Sequence, residues 1–295
     1  MRARTSRRRT ETPIGNTVRE NGRVLILAAT PIGNLGDASP RLREVLANAS
    51  IIVAEDTRTT KHMLNALGLT TNAKLIALHE HNEVAKAADI VRLAQDGDVV
   101  MVSDAGMPGI SDPGYVVVRT AHEQGVTVSV IPGPSAAIAA LAASGLPTDR
   151  FAFEGFVPRK GHAKYFASLA REPRTLIFYE SPHRLADTLV AARDAFGPDR
   201  LATVVRELSK MFEEVVRGTL AELAERFAGE NRGEIVFLVA GAEVVPMSLD
   251  DAVTDVVARV ASGERLKEAS RAVADATGIP GRDLYSAALA RSRDA

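Results

Sequence analysis

Five short aliphatic runs, Arg23–Ala29, Ser50–Ala54, Lys74–Leu78, Val99–Val102 and Val126–Ile131, alternate with stretches of helical periodicity through the first half of the chain. Val99-Val-Met-Val102 is apolar at every position, the pattern of a strand covered on both faces. Strands that alternate with helices pair in parallel through right-handed crossovers. The helical stretches carry their own signals. Ser39 before Pro40 is an N-cap followed by a first-position proline, and Leu42, Val45 and Leu46 give that helix an inner face. Met63, Leu64 and Leu67 make a second helix closed by Gly68. Helices follow from Val84 to Gln95, from Tyr115 to Glu123 and, rich in alanine, to Ala143. In such an α/β unit the loops at the strands' carboxyl ends are where ligands bind.

After Gly145 the texture changes. Strands are expected over Phe151–Phe156, Arg174–Tyr179, Leu201–Glu207, Phe212–Arg217 and Gly233–Ala240, with helices after Gly161 and Arg184 and over Leu220–Phe227. Strands here outnumber helices, so a mixed sheet is expected. Helices at about 250–261, 264–276 and from about Arg282 complete the chain, two of them meeting at Thr277-Gly-Ile-Pro-Gly281 in a helix-turn-helix-like pattern. The expected organisation is a basic tail over 1–22, an α/β lobe over 23–145, a second α/β lobe over 146–245 and a helical segment over 246–295.

Composition excludes several classes. No cysteine is present, which removes disulfides, thiolate metal sites and cysteine nucleophiles and fits a reducing compartment, taken as the cytoplasm. Lysine and arginine total 36 against 37 acidic residues, so bulk charge does not announce a nucleic-acid partner. No apolar run reaches membrane-spanning length. The tail carries six arginines in Met1–Asn21 without the apolar segment of a signal peptide; it reads as a disordered tail or a phosphate-contacting arm. The last segment, with seven basic and eight acidic residues, reads as a packing or dimerisation element or as a nucleic-acid contact. Its apolar Leu284, Tyr285, Ala288 and Leu289 argue for a homodimer.

The loops carry the chemistry. Ser103 to Gly114 holds three glycines, two prolines and the carboxylates Asp104 and Asp112. Glycines admit close backbone approach and prolines stiffen the loop, while two carboxylates would repel phosphate. A neutral or cationic nucleoside-like ligand suits it. Glu55-Asp-Thr-Arg-Thr-Thr-Lys61 puts two carboxylates and two cations at a strand end. That group reads either as reaction chemistry or as an ion-pair network. His79-Glu-His-Asn-Glu83 has histidines at i and i+2, not the H-E-x-x-H of a helix-borne zinc site, so no metal is expected.

Six motifs then fall in register: Thr30-Pro-Ile-Gly-Asn-Leu35, Ala54-Glu-Asp-Thr-Arg58, His79-Glu-His-Asn-Glu83, Ser103-Asp-Ala-Gly-Met-Pro-Gly-Ile-Ser-Asp-Pro-Gly114, Ile131-Pro-Gly-Pro-Ser-Ala136 and Tyr179-Glu-Ser-Pro-His-Arg184. Over about residues 23–241 the chain resembles the ribosomal RNA small subunit methyltransferase I family, of the tetrapyrrole-methylase-like (class III) methyltransferases. The basic tail is not part of that pattern. The resemblance implies a two-lobed α/β homodimer that binds S-adenosylmethionine between its lobes. It further implies methylation of the ribose 2′-oxygen of a cytidine in 16S rRNA of the small ribosomal subunit. Rival readings are a class III enzyme acting on a tetrapyrrole or other small substrate, and a non-catalytic rRNA-binding assembly factor.

Carried onto this sequence, the resemblance implies cofactor contacts at Pro31, Asp104, Gly106, Met107, Ile110, Ser135, Ala136, Tyr179, Gly233 and Glu234. A loop-internal cap is the plain alternative for Asp104, and an ordinary core strand for Tyr179 and Gly233-Glu234. A ribose hydroxyl is a poor nucleophile and needs a proton acceptor. Glu55, Asp56, His81 and Glu83 are the acid–base candidates, expected on the open side of the cleft away from the cofactor loop. Arg58, Lys61, Arg159, Lys160 and Arg184 are the candidates for holding RNA, Arg159-Lys160 reading equally as solvated charge.

Overall fold

Short β-branched runs build a sheet first. Its elements are β1 (Val24–Ala28), α1 (Pro40–Asn48), β2 (Ile51–Ala54), α2 (Thr57–Ala66), β3 (Lys74–Ala77), α3 (Glu83–Asp96), β4 (Val99–Val102), α4 (Tyr115–Glu123), β5 (Thr127–Ile131) and α5 (Ala136–Ser144). The computed structural model describes residues 23–243 and 247–291; the expected basic tail lies outside them. The strands pair in the order β3-β2-β4-β1-β5, every pair parallel. Alternate residues of β1 serve opposite faces. Val24, Ile26 and Ala28 pack with Leu42, Leu46 and Leu64 from α1 and α2, whereas Leu25 packs with Ile90, Val91 and Val117 from α3 and α4. Both faces are covered, which is why β4 is buried throughout. The Ser39 hydroxyl accepts from Leu42 N–H at 3.1 Å and starts α1 as expected.

The second sheet comes from β6 (Phe151–Phe156), α6 (His162–Leu169), β7 (Thr175–Glu180), α7 (Leu185–Phe196), β8 (Leu201–Arg206), β9 (Glu214–Thr219), α8 (Leu220–Arg226) and β10 (Ile235–Val239). Its order is β6-β7-β10-β8-β9, parallel at β6–β7 and antiparallel elsewhere. One face packs Phe178 and Phe237 against α6, α7 and α8, with Phe166 of α6 among them, all three fully buried. Truncating such a phenylalanine to alanine costs about 3–5 kcal/mol. The opposite face takes α5, whose Ala137, Ala140 and Leu141 meet Ile177, Val236 and Leu238. Small side chains let α5 lie close to the strands. It ends at Gly145 in the left-handed region (φ 66°), where a Cβ would sit 3.0 Å from the Arg217 guanidinium.

β9 begins two residues later than the expected Phe212–Arg217. Glu207 and Ser209 adopt positive φ (52° and 63°), and Ser209 N–H donates to the Glu213 carboxylate. The turn therefore extends through Glu213 and leaves Met211 and Phe212 exposed at its tip.

The described chain divides into two compact units, the first ending at Gly241. The second holds α9 (Leu249–Ala261), α10 (Leu266–Thr277) and α11 (Gly281–Arg291) around Ala252, Val256, Ala269, Val273, Leu284 and Ala288. Two of the positions expected to demand a dimer, Leu284 and Ala288, are thus satisfied inside this three-helix core. Tyr285 remains 39% exposed. Among the described residues no helix is long and apolar enough to cross a membrane.

Candidate functional site

Parallel pairing sends the loops after β1, β2, β4 and β5 to one edge of the first sheet. There they meet the carboxyl ends of β6, β7 and β8 and the start of β10, which runs antiparallel to β7 and β8. The loops enclose a cavity of about 410 Å³, within the usual range for a small-molecule site.

The loop after β4 is held by main-chain bonds. Thr30 and Gly106 form an isolated antiparallel bridge, Thr30 N–H to Gly106 O at 2.9 Å and Gly106 N–H to Thr30 O at 3.1 Å. Gly114 (φ 147°) passes so close to Gly109 that a Cβ would lie 2.9 Å from the Gly109 nitrogen. The buried Glu83 anchors the loop's end, its Oε1 accepting from Gly114 N–H at 2.9 Å and Val116 N–H at 2.8 Å at the start of α4. A carboxylate there satisfies orphan N–H groups and complements the helix dipole.

Three carboxylates from the first sheet line the cavity: Glu55, Asp104 and Asp112. Asp104 N–H donates to Glu55 Oε2 at 3.4 Å, and Asp56 N–H donates to Asp104 Oδ1 at 3.2 Å, so the β2 and β4 loops are cross-tied. Shielding from water raises the carboxyls of Glu55 and Asp104 above their ordinary range, with repulsion from their acidic neighbours adding to it. Asp112 is pushed up to about 7, first by burial, then by the charge of Glu55, with Asp104 adding and a Ser103 hydrogen bond opposing.

The second sheet supplies apolar wall and neutralised charge. Tyr179 stands edge-on to Phe153 and Phe156, at centroid distances of 4.9 and 5.4 Å, and its hydroxyl accepts from Ala137 N–H at 3.2 Å where α5 begins. Val205 and Leu208 continue the wall. Glu180 is buried, accepting from Thr188 Oγ1 at 2.6 Å, Ser181 N–H at 2.7 Å and Arg184 Nη2 at 3.0 Å. Glu207 accepts from Lys210 at 2.8 Å and Glu234 N–H at 2.9 Å, and the Lys210 hydrogen bond pulls its carboxyl below the usual range. Lys210 also pairs with Glu234 at 3.1 Å, and its stem crosses Gly33 so closely that a Cβ there would sit 2.5 Å away.

Of the expected cofactor contacts, Asp104, Gly106, Met107, Ile110, Ser135, Ala136, Tyr179, Gly233 and Glu234 line this cavity, and Pro31 lies buried beside lining residue Ile32. Of the acid–base candidates only Glu55 does. Asp56 instead caps α2, its Oδ1 accepting from Arg58 N–H at 2.7 Å, and pairs with the Arg58 side chain, which holds its carboxyl below the usual range. His81 is exposed with its ring 6.1 Å from that of His79, and Glu83 is the anchor already described. Arg58, Lys61, Arg159 and Lys160 are exposed outside the cavity lining. Arg184 is turned inward, donating to Val157 O at 2.7 Å and Pro158 O at 3.1 Å besides Glu180. The sequence reading used Asp112 only as loop charge that repels phosphate, not as a contact or proton acceptor, and gave no role to Phe156, Val205 or Leu208. Asp112 was visible within the Ser-Asp-Pro-Gly of the loop, but the other three carry no local signal beyond strand residues.

Among the described residues no cluster of histidine, aspartate or glutamate is arranged to hold a metal ion. The wall combines apolar surface with three carboxylates that, among the described residues, have no cationic side-chain partner, a donor set suited to a cationic ligand with a flat apolar part.

This two-sheet architecture, with its cavity at the strand ends, is that of the class III methylases: residues 24–224 match the family model described as Tetrapyrrole (Corrin/Porphyrin) Methylases. Solved structures of like fold include the methyltransferase CobJ (23% identical, TM-score 0.56, covering 75% of this chain and 95% of that one). Another is the uroporphyrin-III C-methyltransferase of Thermus thermophilus complexed with S-adenyl homocysteine (23%, TM-score 0.52, 74% and 97%). Nearer in sequence are proteins named ribosomal RNA small subunit methyltransferase I. That of Xylella fastidiosa Temecula1 is 46% identical, covering 88% of this chain and 97% of its own. That of Mycobacterium tuberculosis H37Rv is 44% identical, covering 92% and 96%. The chain belongs to the ribosomal RNA small subunit methyltransferase I family, within the tetrapyrrole methylases, and is a methyltransferase.

Proposed function

We propose that the chain transfers a methyl group from S-adenosylmethionine to the ribose 2′-oxygen of a cytidine in 16S rRNA of the small ribosomal subunit, acting in the cytoplasm as a homodimer. The observation that carries the reading is the cavity itself, where unpaired carboxylates face an aromatic wall. Relatives named for small-subunit rRNA methylation support the substrate class.

The cofactor supplies an electrophilic methyl on a sulfonium. Its residues here are the ones that line the cavity. Glu55 and Asp104 offer negative charge to a cation, while Tyr179 and Phe156 offer apolar area to an adenosine. The start of α5 at Ser135-Ala136 presents helix N-terminal N–H groups to a ligand carboxylate or ring nitrogen. Methyl transfer from a cation neutralises charge, so a walled cavity that positions the partners and excludes water favours it. The exposed Arg58 and Lys61 on α2, with Arg159 and Lys160 after β6, hold RNA phosphates in this reading.

Purified protein incubated with methyl-labelled S-adenosylmethionine and small subunits tests it. Mass spectrometry of the digested rRNA should find one 2′-O-methylcytidine. Label on a tetrapyrrole and none on rRNA would replace this reading with the small-substrate one, and cofactor binding without transfer to any RNA would favour an assembly factor. Light scattering at micromolar protein should give the mass of two chains.

A further inference from the structure

Six carboxylates lie in or beside the wall of the cavity, and their partners separate them. Glu180 is taken by Thr188, Ser181 N–H and Arg184. Glu207 and Glu234 are taken by Lys210. Glu55 and Asp104 each accept a main-chain N–H across the β2 and β4 loops. Asp112 is the remaining one. Among the described residues no N–H donates to it, and its polar neighbour is the Ser103 hydroxyl, which also faces the Ala105 and Gly106 carbonyls at 3.3 Å. Its position is fixed all the same. Gly109 N–H donates to Pro113 O at 3.1 Å, Gly114 is held by Glu83, and Ser111 (φ 62°) lies against the Gly155 bulge of β6. Asp112 is therefore a rigidly placed carboxylate whose oxygens are largely uncommitted.

We propose that Asp112 is the group that takes the proton of the attacking hydroxyl during methyl transfer. The proposal rests on the function given above and replaces Glu55, Asp56, His81 and Glu83 as the expected acceptors. The hydroxyl oxygen bonds to the methyl carbon, the carbon–sulfur pair leaves with sulfur, and the O–H proton passes to an Asp112 Oδ. One positive charge and one negative charge disappear together, so the cavity's net charge is the same before and after.

The surroundings suit that exchange. Facing Asp112 are Glu55 from the β2 loop, Asp104 from its own loop and Tyr179 from β7, none of them cationic. Glu180 and Glu234 complete the acidic set, each with a cationic partner. Burial and this company hold the Asp112 carboxyl near 7, close to where a proton acceptor works best. A cation beside the three carboxylates favours ionisation, so cofactor charge readies the acceptor, and its loss on transfer leaves a carboxyl that keeps its proton.

The test uses Asp112→Asn, Asp112→Glu and Glu55→Gln in the full chain. Single-turnover methylation of small subunits should fall roughly 10²–10⁴-fold in Asp112→Asn, the range for losing general-base help, with cofactor affinity by calorimetry within about tenfold of the parent. Asp112→Glu should recover part of the rate with a displaced pH profile, and Glu55→Gln should lose less rate than Asp112→Asn. Difference infrared spectra of the ligand-free protein should show one carboxyl, absent in Asp112→Asn, titrating near pH 7. Near-parental turnover in Asp112→Asn, a larger loss in Glu55→Gln, or titration near pH 4 overturns the proposal. A parent that methylates no small-subunit RNA would instead overturn the assigned function, and the infrared titration would still report on Asp112.

Discussion

The two sheets wall one cavity with opposite treatments of charge. The parallel sheet contributes Glu55, Asp104 and Asp112, which among the described residues face one another and main-chain or hydroxyl groups without a cation and are raised above the normal carboxylate range. The mixed sheet contributes Glu180 and Glu234, with Glu207 beside them, each closed by a cation or a set of donors. Unpaired charge costs free energy that a cationic ligand or a proton relieves, whereas closed pairs hold shape. The first wall is thus built for chemistry and the second for support.

Breaking a closed pair in the second wall should give the largest effect. Glu180→Ala leaves the Arg184 guanidinium without its carboxylate and the Thr188 hydroxyl and Ser181 N–H without an acceptor. A loss of about 3–5 kcal/mol is expected by urea denaturation, the scale for removing one partner of a buried pair. A loss below about 1 kcal/mol would mean that the second wall does not depend on its pairs.

Opening the first wall should be felt in binding rather than folding. Asp104→Ala should weaken S-adenosylmethionine by roughly 1.5–3 kcal/mol in a calorimetric titration, the scale of a charge-assisted hydrogen bond. Its melting temperature should change little, because relief of the acidic repulsion offsets loss of the acceptor for Asp56 N–H. Unchanged affinity would place the cation's partner elsewhere in the cavity.

The first wall should also impose a pH dependence of the opposite sign to the second. A carboxyl raised in the folded chain favours folding below its unfolded value and loses that contribution as pH rises through the folded one. For Asp112 the window is from about 4 to about 7. With allowance for solvent screening at a partly exposed group, the ligand-free chain should lose about 1–2 kcal/mol across it, and Asp112→Asn should flatten the slope. Glu207, held low by Lys210, acts the other way, its contribution vanishing only in acid below the normal glutamate range. Chemical denaturation at several pH values checks both signs.

What the sequence could show divides along the same line. β4 and its loop were legible because an all-apolar run, closely spaced glycines and two prolines are local signals, and Asp104, Gly106 and Met107 of that loop line the cavity. Asp56, Glu83 and Arg184 were legible as charged residues at strand ends but not as anchors. Asp56 caps α2 through a local N–H two residues on, whereas Glu83 and Arg184 act on N–H and C=O groups 27 to 33 positions away that only the fold brings into reach. The aromatic wall was hidden because Phe156 and Val205 look like any strand residue until two sheets face one another. The β9 shift was hidden in the positive φ of Glu207 and Ser209, which no glycine announces.

The smallest effect on the protein itself is expected outside both walls, at Arg58. Its side chain is 86% exposed and among the described residues pairs with Asp56 alone, at 3.2 Å, so its removal should leave the melting temperature unchanged. Asp56 keeps its capping bond to the main-chain N–H of residue 58 in Arg58→Ala, so α2 should still begin at residue 57. Cofactor affinity should also stay at the parental value, since the guanidinium is not part of the cavity lining. The loss should appear only against RNA. A single phosphate contact releases about one counterion, so the log–log dependence of RNA affinity on salt should become shallower by about 0.7–0.9. The same measurement on Arg184→Ala separates the two arginines: tied inward to Glu180 and to Val157 O and Pro158 O, it should lower stability and leave the salt slope alone. If Arg58→Ala kept the parental salt slope and Arg184→Ala reduced it, the RNA face would lie on the second sheet's side of the cavity.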